Sequence, residues 1–230
     1  MRIEQLSLKT SDIKGAGKFY GDLLNLPVIN GTRSKISFQV GSSILSFSKA
    51  SHKCFYHFAF NIAPHLFDDS FKWIRNRARI LPFSASSPIA DYPGWHAKAF
   101  YFYDHEENIA ECIARFDLPN PPPAVPKIIP SFISISEIGI VVKEVELVLH
   151  QINQVYEIPL FKKGPQLPDF TPMGDDEGLL LITQNSRGWW PTQRPAEQHD
   201  AEVWFTQNKK VRNLKVESGK ILIPKNNTFI

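Results

Sequence analysis

A histidine and a glutamate sit on apolar strand-like stretches of this chain, and both are residue types that hold protons or metal ions. The histidine opens HFAFNI (57–62). Side chains alternate across a strand, so His57, Ala59 and Asn61 share one face while Phe58, Phe60 and Ile62 share the other. The two phenylalanines suit a helix-packed face, which leaves His57 for a concave one. The glutamate lies in NIAECIARF (108–116), where Ile109, Glu111 and Ile113 share a face and Ala110 and Cys112 the opposite one. A carboxylate between two isoleucines is costly to bury unless it is paired or bound to a cation. A neutral imidazole and a carboxylate are both common ligands of Zn²⁺, Fe²⁺, Ni²⁺ or Mn²⁺.

Elements that could position these groups recur in one order. RIEQLSLKT is an alternating strand, and Ser11 or Asp12 can cap the helix that follows it. IKGAGKFYGDLLNL (13–26) places Ile13, Ala16, Tyr20, Leu23 and Leu24 on one side of that helix. KISFQV and SSILSFS are strands turning at Gly41, with room for a short strand at 28–32. The order repeats: YHFAFNI is a strand, PHLFDDSFKWIRNRAR (64–79) a helix, and AKAFYFYD and NIAECIARF are strands joined by HEE. It comes a third time as SEIGIVV, the helix EVELVLHQINQVY and the strand EGLLLIT. Gln5 and Glu137 are 132 positions apart, as are Pro27 and Pro159, so the chain carries an internal βαβββ repeat. The end, AEVWFTQNKKVRNLKVESGKILIPKN, has strands without a convincing helix and reads as a reduced fourth unit. Proline removes amide donors and fixes φ, so DLPNPPPAVPKIIPS can continue neither a helix nor a central strand. The expected organisation is residues 1–118 as a first pair of units holding the site, a linker at 119–131, and 132–230 as a second pair.

Composition narrows the function classes. A net charge of +3 spread over 26 basic and 23 acidic residues does not make the concentrated basic stripe of a nucleic-acid binder. NKKVR (208–212) reads as a solvated loop. Two cysteines make no disulfide framework, and both read as buried free thiols. The first residues lack an apolar signal core and no run reaches membrane-spanning length, so the expectation is a cytoplasmic protein without membrane contact. Trp95, His96, Tyr101 and Tyr103 cluster just before the closing strand, where they could line a pocket or simply pack. RGWWPT (187–192) reads as an element packing the two halves together, and His199–Asp200 as a surface pair.

Repeated βαβββ units of this kind resemble the vicinal oxygen chelate superfamily, which includes glyoxalase I, fosfomycin- and bleomycin-resistance proteins and extradiol dioxygenases. The matching residues are Gln5, Asp12 and KFYGDLLNLPV in the first unit, and FYDHEENIAEC (102–112) in the second, where His105-Glu106-Glu107 replaces the usual Pro-x-Gly. The resemblance implies an α+β fold of tandem βαβββ units forming two cup-shaped half-barrels. It places the ligand slots at Gln5, Ser46, His57 and Glu111. With serine in a carboxylate slot, two readings stay open. In one, His57, Glu111 and Gln5 bind a divalent metal, with Glu111 and Tyr103 catalytic and Ser46, Trp95, Tyr101 and Tyr103 facing a small-molecule substrate. In the other, His57 and Glu111 form a metal-free hydrogen-bonded pair in a binding pocket. The second half, with Glu137 and Leu181 in its slots, reads as empty of metal. Units in this superfamily often pair across chains, so closure of the cup within one chain and across a homodimer both stay open.

Overall fold

The computed structural model describes residues 1–119, 130 and 132–223. Most of the proline-rich linker therefore lies outside the described residues. The first unit comprises β1 (Arg2–Thr10), α1 (Ile13–Ala16), β2 (Val28–Gly31), β3 (Lys35–Val40) and β4 (Ser43–Lys49). Asp12 caps α1, accepting from the Gly15 amide at 2.8 Å. The helix expected over 13–26 is regular for one turn only and continues as a π-helical stretch, Gly17–Leu23. Three glycines weaken it locally, and tertiary packing holds it instead. Phe19 stacks on Phe102 and Tyr20 on Phe47, with ring centroids 6.4 and 5.0 Å apart.

The second unit runs through β5 (His57–Ile62), α2 (Phe67–Arg75), β6 (Ile80–Leu81), β7 (Ile89–Tyr92), β8 (Ala97–Tyr103) and β9 (Ile109–Arg115). Pro64 opens a single 3₁₀ turn ahead of α2, which ends at Arg75, short of the expected boundary at 79. The third unit has β10 (Phe132–Val142), α3 (Val145–Tyr156), β11 (Phe170–Asp175) and β12 (Gly178–Gln184). A small hairpin of β13 (Gly188–Trp189) and β14 (Arg194–Pro195) follows. The chain then forms β15 (Ala201–Gln207), β16 (Lys210–Glu217) and β17 (Lys220–Leu222), with no helix among the described residues of this last unit.

Within each of the first three units the first and last strands lie side by side and parallel: β1 with β4, β5 with β9, and β10 with β12. These segments join one large curved sheet whose spine runs β17-β16-β15-β1-β10-β5-β9-β8-β6. The pairing between units departs from the sequence reading. The first and second units do not close on each other. Instead β5 pairs antiparallel with β10, joining the second unit to the third, and β1 pairs antiparallel with β15, joining the first to the fourth. A hydrophobic cluster under the helices takes Phe58, Phe60, Ile138 and Ile140. A separate cluster on the hollow side of the second and third units takes Ala59, Tyr101, Ile109, Ile113 and Leu179. All six residues of β5 are buried because both of its faces are covered.

Candidate functional site

Register places the polar groups. Ala59 on β5 lies between Glu137 on β10 and Glu111 on β9. Glu111 in turn lies opposite Tyr101 on β8, and Glu137 beside Leu179 on β12. One row across five strands therefore reads Leu179, Glu137, Ala59, Glu111, Tyr101, all on the hollow face. The methyl group of Ala59 leaves room for the two carboxylates to approach. His57 lies one step along the same face of β5.

His57 Nε2 is 3.5 Å from Glu111 Oε2, and ligand atoms of His57, Glu111 and Glu137 all fall within 4.8 Å of one another. His57 Nδ1 is 3.1 Å from the Ile109 carbonyl oxygen. That oxygen can only accept, so Nδ1 carries the proton and Nε2 offers its lone pair to the cluster. Burial lowers the imidazole pKa to about 4, outweighing the Ile109 bond. Burial also raises the Glu111 carboxyl well above its usual range, reinforced by the charge of Glu137 and opposed by Arg115. Glu137 is raised by burial, with Arg115 pulling the other way. Arg115, fully buried, donates a short charge-assisted bond to Glu137 and reaches Ser136 Oγ at 3.3 Å and Asp176 at 3.5 Å. One guanidinium thus faces two buried carboxylates.

His57, Glu111 and Glu137 line a cavity of about 370 Å³ whose walls include Trp95, Tyr101, Leu167, Phe170 and Trp189. The Tyr92 and Tyr101 hydroxyls meet at 2.6 Å. The indole of Trp189 lies 4.9 Å from the His57 ring and passes over Gly139, where a Cβ would sit 2.5 Å from it. RGWWPT thus contributes a wall of the cavity as well as packing. Asp104 holds the turn that precedes β9. Asp104 Oδ1 accepts from the amides of Glu106 and Asn108, both at 2.9 Å. Asp104 Oδ2 accepts from Asn108 Nδ2 at 2.8 Å and from Tyr20 Oη of the first unit at 2.7 Å. Glu107 adopts φ 63° where the related signature has glycine.

Of the residues singled out from sequence, His57, Glu111, Trp95 and Tyr101 come together here. Gln5 and Ser46 do not. They lie on β1 and β4, in the hollow of the first and fourth units, where Gln5 Nε2 donates to Ser7 Oγ at 3.0 Å and Ser46 Oγ is 2.8 Å from Ser37 Oγ. The 1–4 and 2–3 pairing of units separates them from His57. The same pairing brings in Glu137, from the half that was read as empty. Tyr103 lies beyond the cavity, with the Arg79 guanidinium 5.6 Å from its ring centre, and His96 is exposed beside Asp117. Arg115, absent from the sequence-derived candidates, continues the Glu111 face of β9 by two alternations, and Glu137, the first-strand slot of the second half at the repeat position of Gln5, joins the cluster although that half reads as empty.

The curved sheet built from first-beside-last units, with its polar cluster on the hollow face, is the vicinal oxygen chelate fold. Solved structures match it across most of the chain. A provisionally named dioxygenase from Bacillus subtilis subsp. subtilis str. 168 superposes with a TM-score of 0.62 at 9% identity, covering 94% of this chain and 84% of that one. A single-site variant of glyoxalase I from Zea mays gives 0.55 at 13% identity, covering 85% and 71% respectively. No protein-family model and no curated protein matches the sequence. Identities this low establish the fold and leave the chemistry to the site.

Proposed function

We propose that this protein is a small-molecule enzyme of the vicinal oxygen chelate type, using a divalent metal held by His57, Glu111 and Glu137. The convergence of those three ligand atoms within 4.8 Å, on residues that line an apolar cavity, carries the reading. The donor set fits such an ion. His57 presents an unprotonated Nε2, and a cation would offset the cost of ionising Glu111 beside Glu137, which burial otherwise resists. The set of one imidazole and two carboxylates suits Zn²⁺, Mn²⁺, Fe²⁺ or Ni²⁺. It is not the two-histidine, one-carboxylate triad of non-heme iron oxygenases, which favours isomerase or lyase chemistry over ring cleavage.

A bound metal supplies Lewis acidity toward a substrate carrying two adjacent oxygens. The chain's own groups supply the rest. Trp95, Tyr101 and Trp189 press on a flat or aromatic body and exclude water. Burial keeps the Tyr101 phenol protonated, so it donates to a substrate oxygen. Glu111, with its raised pKa, can take a proton from a carbon beside a carbonyl and return it. All of the metal ligands come from one chain, so the reading requires no second copy. No helix among the described residues is long and apolar enough to cross a membrane.

The Arg115–Glu137 pair favours a second reading, in which the cavity binds its ligand without metal. Water-proton relaxation of the Mn²⁺-loaded protein separates the two. Catechol or a 2-hydroxycarbonyl compound should displace metal-bound water and lower the relaxation enhancement, and phenol should not. Equal binding of these compounds with and without Mn²⁺ would select the metal-free binder.

A further inference from the structure

A second group of soft ligands lies outside the hollow of the sheet. His52 and Cys54 stand on the segment between β4 and β5, and His199 on the strap that leads into β15. Their ligand atoms lie within 4.8 Å of one another. The two imidazole centroids are 6.2 Å apart, and His199 also packs against the Tyr56 ring at 5.5 Å. All three residues line a cavity of about 340 Å³. The Cys54 thiol has no disulfide partner; it lies 3.8 Å from the His52 carbonyl oxygen and shares a hydrogen bond with the Tyr56 hydroxyl. Glu197 Oε2 is 3.2 Å from His199 Nε2, the kind of carboxylate contact that fixes the orientation of a ligating imidazole.

We propose that His52, Cys54 and His199 form a metal site for a borderline-soft divalent cation of the zinc class, with water completing the coordination. Two imidazoles and a thiolate select Zn²⁺ or Co²⁺ over the oxygen-preferring Mn²⁺. Binding breaks the Cys54 S–H bond, forms a metal–sulfur bond and releases the proton to solvent. No redox step is involved. The ion joins the segment entering the second unit to the strap entering the fourth, so it clips together units that belong to different halves of the sheet. The site is independent of the catalytic reading above, because it shares no ligand with the His57 cluster.

Cobalt titration of the full chain, without a histidine tag and under reducing conditions, tests this. One equivalent of Co²⁺ should produce a thiolate-to-cobalt charge-transfer band that Zn²⁺ abolishes. The band should survive in Glu111→Gln, which disables the His57 cluster, and vanish in Cys54→Ser. His52→Ala, at an exposed position, should also lose it, which keeps the test available if the cysteine variant folds poorly. In the Glu111→Gln background, Zn²⁺ should raise the thermal midpoint, and this rise should disappear when His52→Ala is added. A wild-type titration without the band, or a band that persists in Cys54→Ser, would overturn the proposal.

Discussion

Arg115 is fully buried and bonded to Glu137, so removing it strands a carboxylate in an apolar interior. Arg115→Met should destabilise the metal-free protein by about 3–5 kcal/mol at neutral pH, and adding Glu137→Gln should recover much of that loss. Urea unfolding of the two singles and the double measures the coupling. Asp104 and His105 make a second residue-scale prediction. Burial would raise the Asp104 carboxyl, but His105, Asn108 and Tyr20 together hold it below its usual range. Burial would lower His105, but Asp104 and Glu106 hold it above its usual range. The Asp104 contribution is complete above the unfolded carboxylate pKa of about 3.9 and is lost as pH falls through the lower folded value. The His105 contribution is complete below about 6.5 and is lost as pH rises through its higher folded value. The stability difference between wild type and Asp104→Asn should therefore peak between those limits and shrink on either side in a pH series of thermal melts. The faces of His57 and Glu111 were readable from strand alternation alone. Arg115 lies two alternations past Glu111 on the same face of β9, so alternation places it as well, and charge complementarity pairs it with a carboxylate.

At the scale of elements, the site depends on a narrow row across five strands. Ala59 is its narrowest point, between the two carboxylates. Ala59→Leu should push Glu111 and Glu137 apart, costing about 1–3 kcal/mol in stability by overpacking and removing metal binding at the hollow face. Calorimetric titration beside a thermal melt distinguishes a folded, metal-blind variant from an unfolded one. The strands themselves were legible because periods of two and clear turn residues mark them. The first helix was only partly so. Three glycines in fourteen residues left its geometry to be decided by where Phe19 and Tyr20 pack, and those partners, Phe102, Phe47 and Asp104, are distant in sequence.

At the scale of the molecule, what the sequence hid was the partner of each unit. Internal repeats reveal how many units exist, but pairing them is a matter of strand edges meeting across more than a hundred residues. The choice decides the site. Closing the first unit on the second would have put Gln5 and Ser46 with His57. Closing the second on the third puts Glu137 there and leaves Leu181 on the cavity wall. The resemblance implied the fold that the structure shows, while the set of polar residues gathered on the hollow face followed from the long-range pairing.

Binding an ion at the hollow face needs Glu111 ionised, and its raised pKa means that binding competes with a proton, so affinity should increase with pH. Mn²⁺, which prefers oxygen-rich sites over the thiolate group outside the hollow, is the selective probe. Electron paramagnetic resonance titration should find one tightly held Mn²⁺ per chain in the wild type, and none in Glu111→Gln with its fold intact. Failure of the wild type to bind Mn²⁺, or undiminished binding in Glu111→Gln, would contradict the assignment of His57, Glu111 and Glu137 as a metal centre.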